Sequence, residues 1–216
     1  MDDRQAPTGA PLPGPAAETA PVILASGSRF RAQMLRAAGV PFSVVVAGVD
    51  EAAVRESLGA EGASTEDVAT ALSELKAMAV SRRHPDALVI GSDQMLDCNG
   101  VWFEKPADRD HARATLQALA SRDHRLVTSV VVARAGSRIW HASQSVRMRM
   151  RPLSEAFIES YLDAVGEDVR SSVGAYQLEG LGAQLFTAVE GDYFTVLGLP
   201  LLPLLDFLRV HGVLAR

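Results

Sequence analysis

The sequence predicts an α/β fold built on a mixed β-sheet, and two observations support this prediction. In the first half of the chain, short apolar runs such as Val22–Leu24 alternate with segments of helical periodicity, a pattern typical of parallel strands joined by helices. Later in the chain, strand-like runs follow one another and Asn99-Gly100 marks a tight hairpin, which adds antiparallel strands. The sheet should therefore contain strands of both orientations.

The elements of the first half follow from apolar spacing and from capping residues. A strand at 22–24 leads through a small-residue loop to a helix at 28–38, which Gly39 and Pro41 end. A second strand at 42–46 leads to an acidic turn at 49–51. After a polar loop, Ser64 begins a helix with apolar residues at helical spacing.

The second half is predicted in the same way. A buried strand at 87–90 ends at Gly91-Ser92-Asp93-Gln94, so that Asp93 lies at a strand terminus, and the hairpin follows. The remaining elements are a helix capped by Asp108, a strand at 126–133, one or two strands within 139–150, a helix from Ser154 to a stop at Gly166, and a last helix starting near Pro200.

Composition excludes several classes of protein. The 216 residues are 48% hydrophobic, which is ordinary for a globular chain, and we expect a flexible Pro- and Gly-rich leader at 1–20 before one domain at 21–216. A net charge of -5 argues against a protein that coats nucleic acid. The single cysteine, Cys98, fits a reducing compartment. With no apparent secretion signal and no bilayer-length apolar run, we expect a cytoplasmic protein with no membrane partner.

The first candidate site is the loop that contains Ser26, Gly27 and Ser28. Small residues allow successive backbone N–H groups to converge at a helix N-terminus, and Arg31 adds a fixed positive charge. This combination fits a phosphate group. An ordinary strand-to-helix turn capped by Ser28 would have the same sequence, since no Walker-type motif is present.

The second candidate site combines Glu51, Lys76, Asp93 and Lys105, which we predict at the ends of their elements. Carboxylates can hold Mg²⁺ or accept a proton from water, and ammonium groups can neutralise phosphate oxygens. Taken singly, each residue could equally form a solvated ion pair or a helix cap. Their combination favours metal-assisted cleavage of a phosphoanhydride.

Six short motifs in order give the chain a resemblance to a known family. It resembles the Maf family of nucleoside triphosphate pyrophosphatases through Ala25-Ser26-Gly27-Ser28 with Arg31, Val49-Asp50-Glu51, Ile90-Gly91-Ser92-Asp93, Lys105-Pro106, Gly174-Ala175-Tyr176, and Glu190-Gly191-Asp192-Tyr193 through Gly198-Leu199-Pro200-Leu201. The match runs from about residue 22 to residue 212. The family commonly has proline where this chain has Arg29, which could instead contact phosphate.

The resemblance implies a cytoplasmic enzyme with an elongated, twisted mixed sheet, flanking helices, and two lobes around a cleft. Such enzymes convert a nucleoside triphosphate to the monophosphate and pyrophosphate with a divalent cation, Mg²⁺, Mn²⁺ or Co²⁺, and the resemblance also implies a homodimer. By position, Ser26, Arg31, Lys76 and Lys105 would hold the phosphate chain with the surrounding loop. Glu51 and Asp93 would bind metal, and Asp93 would also be the general base.

Base preference within the family tracks three positions, which here are Phe30, Gln94 and Glu179. They resemble those of the 7-methyl-GTP-preferring group more than the Arg, Thr and Gln of the dTTP/UTP group. Glu179 could accept hydrogen bonds from guanine, and Phe30 could stack on a purine or simply anchor its helix in the core. The alternatives are a dTTP/UTP pyrophosphatase and, since the family is also associated with arrest of septum formation, a regulatory binding protein.

Overall fold

The computed structural model describes residues 19–215, so that most of the predicted leader lies outside the described residues. This part of the chain forms a seven-stranded mixed sheet with seven α-helices and two short 3-10 helices. The strands are β1 (Val22–Leu24), β2 (Ser43–Val44), β3 (Leu88–Cys98), β4 (Val101–Phe103), β5 (Asp123–Arg134), β6 (Ser137–Met150) and β7 (Phe186–Glu190). The α-helices are α1 (Arg29–Ala37), α2 (Glu51–Ala60), α3 (Thr65–Ser81), α4 (Arg109–Leu119), α5 (Glu155–Val165), α6 (Tyr193–Val196) and α7 (Leu201–Val210), and the 3-10 helices span Gly166–Ser171 and Leu181–Leu185.

The topology confirms the predicted mixed sheet. Its order is β2-β1-β3-β5-β6-β7, with β4 paired to β3. Strand β1 runs parallel to β2 and β3, whereas the pairs from β3 through β5 and β6 to β7 are antiparallel. The β3–β4 hairpin turns at Asn99 and Gly100, both in the left-handed region at φ 54° and 83°, as the sequence predicted.

Strand β3 corrects the prediction for Asp93, which lies inside the strand and pairs in register with Ser129 of β5. The polar run that suggested a strand end stays within the buried strand because its side chains have distant partners. Ser92, for example, donates to the backbone oxygens of Ser129 and Gly198 at 2.8 and 3.1 Å. Buried polar groups satisfied in this way cost little to keep in a sheet.

Helices α2 and α3 also differ from the prediction. Lys76 lies inside α3 rather than at its end, and Glu51 begins a helix, α2, where we predicted an acidic turn. The sequence of α2 carries no strong apolar stripe, which is why no helix was predicted there, and none of its residues is buried. Asp50 caps it by accepting a hydrogen bond from the Ala53 N–H at 3.1 Å. Strand β2 is shorter than predicted, and β7 was not predicted.

Close packing of α3 on the sheet brings the two predicted charges together. A Cβ added to Gly91 would lie 2.2 Å from the Ser73 carbonyl oxygen, so that only glycine allows this approach of helix and strand. On the helix, Val68, Leu72 and Val80 are fully buried, and each stabilises the packing by about 2 kcal/mol. Lys76 of α3 and Asp93 of β3 are thereby placed side by side.

None of the helices within residues 19–215 combines the length and the apolar character needed to cross a membrane.

Candidate active site

A single cavity of about 500 Å³ contains all the site residues that the sequence predicted. The small-residue loop after β1, the start of α2, the middle of α3 and of β3, and the loop after β4 all contribute to its wall. The predicted residues in the wall are Ser26, Gly27, Ser28, Phe30, Arg31, Glu51, Lys76, Asp93, Gln94, Lys105 and Glu179. Residues up to 153 positions apart in sequence thus meet at one place.

The loop after β1 is organised by its two serines. Ser28 caps α1 by accepting from the Arg31 N–H, and the Ser26 hydroxyl oxygen accepts from the Ser28 N–H at 3.2 Å and from Arg31 Nη1 at 3.1 Å. Arg31 Nε also donates to the Gly198 carbonyl oxygen at 2.7 Å. Burial lowers the pKa of Arg31, while Asp93 and Glu51 act in the opposite direction. An arginine remains charged under these conditions, so that the loop presents a fixed cation to the cavity.

The centre of the cavity is a buried ion cluster. Lys76 Nζ lies 2.6 Å from Asp93 Oδ1 and 2.8 Å from Glu51 Oε1, and the Lys76 and Asp93 residues are only 7% and 5% exposed. The second carboxylate oxygen of Asp93, Oδ2, is buried and has no hydrogen-bond partner among the described residues. Buried charged oxygens are normally paired, so that Oδ2 is available to a ligand or a water molecule.

Glu51 is held in its charged form by neighbouring cations. Burial raises the pKa of Glu51, but the hydrogen bond and charge of Lys76, with further contributions from Arg55 and Arg31, bring this pKa below its ordinary value. Arg55 was not identified from the sequence. Its Nη1 lies 3.6 Å from Glu51 Oε2 and its Nε donates to Glu104 Oε1 at 3.1 Å. Had α2 been predicted, the i, i+4 spacing between Glu51 and Arg55 would have indicated this ion pair.

Lys105 follows β4 and brings another ammonium group to the cavity wall. Desolvation lowers the pKa of Lys105, and repulsion by the positive charge of Arg31 lowers it further, whereas Glu51 opposes the change. An anion placed between Lys105 and Arg31 would relieve this repulsion. The two positive charges at this part of the wall therefore suit a phosphate group.

The donor set fits a divalent cation that binds together with phosphate. Asp93 Oδ2 has no hydrogen-bond partner among the described residues. Lys76 contacts both Asp93 and Glu51, so that the Glu51 carboxylate lies close to that of Asp93. Within residues 19–215 there is no group of three or more His, Cys, Asp or Glu side chains arranged to hold a metal. Mg²⁺ commonly binds through one or two carboxylates, substrate phosphates and water, so that the residues present fit this cation.

Three cavity residues stand at the positions that the sequence linked to base choice. Phe30 is half-buried beside the loop, and Glu179 is exposed at the cavity wall. The Gln94 amide nitrogen donates to Thr128 Oγ1 and to the backbone oxygens of Thr195 and Val196 at 2.9 to 3.1 Å. Gln94 is thus fixed by the fold through its amide nitrogen.

Arg29, which replaces the proline common in the resembled family, makes an ion pair across the molecule. Its Nη2 lies 2.7 Å from Asp168 Oδ1 in the first 3-10 helix, and both side chains are more than half exposed. The guanidinium carbon also lies 4.9 Å from the centre of the Phe30 ring. Arg29 therefore links the start of α1 to a segment 139 residues further along the chain.

Comparison with known proteins gives consistent matches over nearly the whole described chain. The family model described as Maf-like protein matches residues 21–211. A nucleoside triphosphate pyrophosphatase of Paramagnetospirillum magneticum is 59% identical over 192 residues, which cover 89% of this chain and 99% of that protein. Proteins of the same name from Granulibacter bethesdensis and Caulobacter vibrioides are 53% and 49% identical, covering 89% and 90% of this chain and 98% and 97% of their own. The chain therefore belongs to the Maf-like family.

Proposed function

We propose that this protein hydrolyses nucleoside triphosphates to the nucleoside monophosphate and pyrophosphate. The observation that carries the proposal is the free, buried Oδ2 of Asp93 in a cavity that also contains the cations Arg31, Lys76 and Lys105. A carboxylate oxygen beside several cations is what water activation next to a polyphosphate requires. The names of the relatives agree with this chemistry.

Binding of the phosphate chain would use the groups that are already fixed in place. The loop of Ser26, Gly27 and Ser28 and the N-terminus of α1 offer the backbone N–H groups that the two serines do not already bond, and Arg31 and Lys105 provide charge. Because Arg31 is anchored by Ser26 and Gly198, little side-chain entropy is lost when an anion binds.

The chemical step is attack by water on the α-phosphorus. Asp93 Oδ2 accepts one proton from the water, the water oxygen forms a bond to phosphorus, and the bond from the α-phosphorus to the α,β-bridging oxygen breaks. The bridging oxygen leaves with the bonding electrons as part of pyrophosphate, whose charge Lys105 and Arg31 stabilise. Lys76 keeps the Asp93 carboxylate oriented through its 2.6 Å contact to Oδ1.

A divalent cation, Mg²⁺ first and Mn²⁺ or Co²⁺ next, would be held by Asp93 and Glu51. A carboxylate has about four lone-pair sites, so that Asp93 could hold the cation at one site and accept the proton at another. When bound, it supplies positive charge that neutralises phosphate oxygens. Glu51 is suited to this role because its charged form is favoured by Lys76, Arg55 and Arg31.

For the substrate we propose a guanine-type nucleotide, with 7-methyl-GTP as the favoured example and a modified or non-standard nucleotide as the general class. Glu179 at the cavity wall can accept hydrogen bonds from guanine N1–H and from its exocyclic amine. The acceptor carbonyls of uracil or thymine would face this carboxylate unfavourably. The half-buried Phe30 ring can stack on a purine, and a methylated base adds an attractive positive charge.

The test is a nucleotide panel with Mg²⁺ that includes 7-methyl-GTP, GTP, UTP and dTTP, with pyrophosphate as the measured product. We expect pyrophosphate release, with the highest kcat/KM for a guanine nucleotide. Preference for UTP and dTTP would contradict the substrate proposal alone. Absence of turnover with every nucleotide, together with tight binding to a division protein, would instead support the regulatory alternative.

A further inference from the structure

A buried pair behind the cavity has no role in the mechanism above. His124 of β5 is 2% exposed, and its Nε2 shares a hydrogen bond of 2.7 Å with the Tyr176 hydroxyl. Burial lowers the pKa of His124 to about 4, so that the ring is neutral at pH 7 and carries one proton. Its Nδ1 is buried and has no partner among the described residues. The bond to Tyr176 is therefore the single polar attachment of this ring to the described chain.

Tyr176 belongs to a segment, residues 172–180, that forms neither helix nor strand. Ala175 has a φ of 59°, in the left-handed region, which is strained for a residue with a Cβ. A Cβ added to Gly174 would lie 2.2 Å from the Tyr176 ring, so that the ring occupies the space above this glycine. Such a backbone persists only when surrounding contacts hold it in place.

Side-chain contacts, rather than a strand ladder, fix the segment. The Tyr161 hydroxyl donates to the Ala175 carbonyl oxygen at 3.2 Å, and the Ser172 hydroxyl bonds both the N–H and the carbonyl oxygen of Tyr176. The Tyr176 ring packs edge-on against Phe186 with centroids 4.8 Å apart. Among these contacts, the hydrogen bond to His124 connects the segment to the central part of the sheet.

The same segment lines the cavity. Tyr176 and the three residues that follow it, Gln177, Leu178 and Glu179, all contribute to the wall, and Glu179 is the residue proposed above to read the base. His124 does not line this cavity. A change at His124 can therefore reach a bound nucleotide through Tyr176 and the segment that it holds.

We propose that His124 is a positioning residue for nucleotide recognition: its hydrogen bond to Tyr176 holds residues 172–180 in the strained conformation that shapes the base-binding wall. The inference rests on the proposed function for the identity of the ligand. It adds that base recognition depends on a buried bond outside the cavity. A lost neutral hydrogen bond changes an equilibrium by about two- to tenfold.

The experiment compares His124→Phe, Tyr176→Phe, the double variant and His124→Gln, whose amide can reach the position of Nε2. The control is Ile158→Val, which alters the core cluster that contains Tyr176 without removing a hydrogen bond, and costs a similar free energy of unfolding, about 1 kcal/mol. Two quantities are measured: amide hydrogen exchange of residues 174–179, and the Kd of α,β-methylene GTP, which requires no turnover.

We expect His124→Phe and Tyr176→Phe each to accelerate exchange in the segment and to weaken analogue binding by about two- to tenfold. The double variant should be no weaker than either single variant, because both remove the same bond. His124→Gln should recover most of the affinity, and Ile158→Val should leave exchange and Kd at wild-type values.

Equal exchange and equal Kd in the His124, Tyr176 and Ile158 variants would overturn the inference and assign the pair to general stability. Wild-type protein that binds the analogue but releases no pyrophosphate from any nucleotide would refute the proposed function and leave the positioning role intact.

Discussion

Two parts of the cavity wall are built in opposite ways. The charged part comes from regular elements: Lys76 lies inside α3, Asp93 lies inside β3, and glycine at position 91 lets the two elements touch. The 172–180 segment has no regular structure and depends on side-chain hydrogen bonds such as that between His124 and Tyr176. Regular elements hold catalytic groups in place by their own backbone hydrogen bonds, whereas an irregular segment needs buried side-chain contacts to keep its shape.

The largest expected effect lies in the rigid part. Asp93→Asn should lower kcat by about 10³-fold or more, because the amide cannot accept the proton of the attacking water. Lys76 keeps its 2.8 Å contact to Glu51, so that the fold should survive. Steady-state pyrophosphate release and far-UV circular dichroism check both points. An unchanged rate would remove Asp93 from the chemical step.

The buried histidine makes stability depend on pH. Since the pKa of His124 falls from 6.5 unfolded to about 4 folded, the unfolded chain binds the extra proton between these values. The free energy of unfolding should therefore decrease by about 3 kcal/mol as pH falls from 6.5 to 4. Urea unfolding of wild type and His124→Gln at several pH values measures this change. Above pH 4.5, the free energy of unfolding of the variant should depend much less on pH than that of wild type. Identical slopes would exclude His124 as its source.

Metal use tests the carboxylate that α2 contributes. Glu51→Gln should raise the Mg²⁺ concentration for half-maximal rate by about tenfold or more, since a neutral amide binds the cation more weakly. The matched control is Glu104→Gln, which removes the other carboxylate that Arg55 contacts. Equal Mg²⁺ requirements in both variants would contradict a metal role specific to Glu51.

Base discrimination tests the irregular part. Glu179→Gln should reduce the ratio of kcat/KM for GTP to that for UTP by about tenfold, because the amide no longer repels the uracil carbonyls. The rate with the best nucleotide should change less than the ratio, since Glu179 is not assigned to the chemical step. Should the ratio stay constant, the base would be read elsewhere.

The smallest effect is expected at the ion pair between Arg29 of α1 and Asp168 of the first 3-10 helix. An ion pair with both side chains more than half exposed contributes about 0 to 1 kcal/mol. Arg29→Ala should therefore change the free energy of unfolding and KM by little, and Asp168→Ala should match it. A large rise in KM for Arg29→Ala alone would show direct contact of this guanidinium with phosphate.

Much of the site could be predicted from the sequence because its residues lie in short, ordered motifs. The loop at Ser26 and the carboxylates Glu51 and Asp93 were named as site residues from the sequence, and one cavity contains them all. Their roles, the 7-methyl-GTP preference, the homodimer and the cytoplasmic location stay predictions.

The features of the site that could not be predicted from the sequence depend on contacts between residues far apart in the chain. Asp93 was expected at a strand end because the polar run around it resembles a loop, and only its Lys76 partner explains its burial. Helix α2 buries no residue, so that periodicity did not predict it, and Arg55 was missed with it. His124 and Tyr176 are 52 residues apart, and no local pattern indicates that they meet.

The most direct measurement is hydrolysis of GTP in H₂¹⁸O, followed by mass spectrometry of both products. Water activated at Asp93 attacks the α-phosphorus, so that one ¹⁸O should appear in GMP and none in pyrophosphate. Label in pyrophosphate, or release of inorganic phosphate with GDP, would place the attack on a different phosphorus and contradict the account.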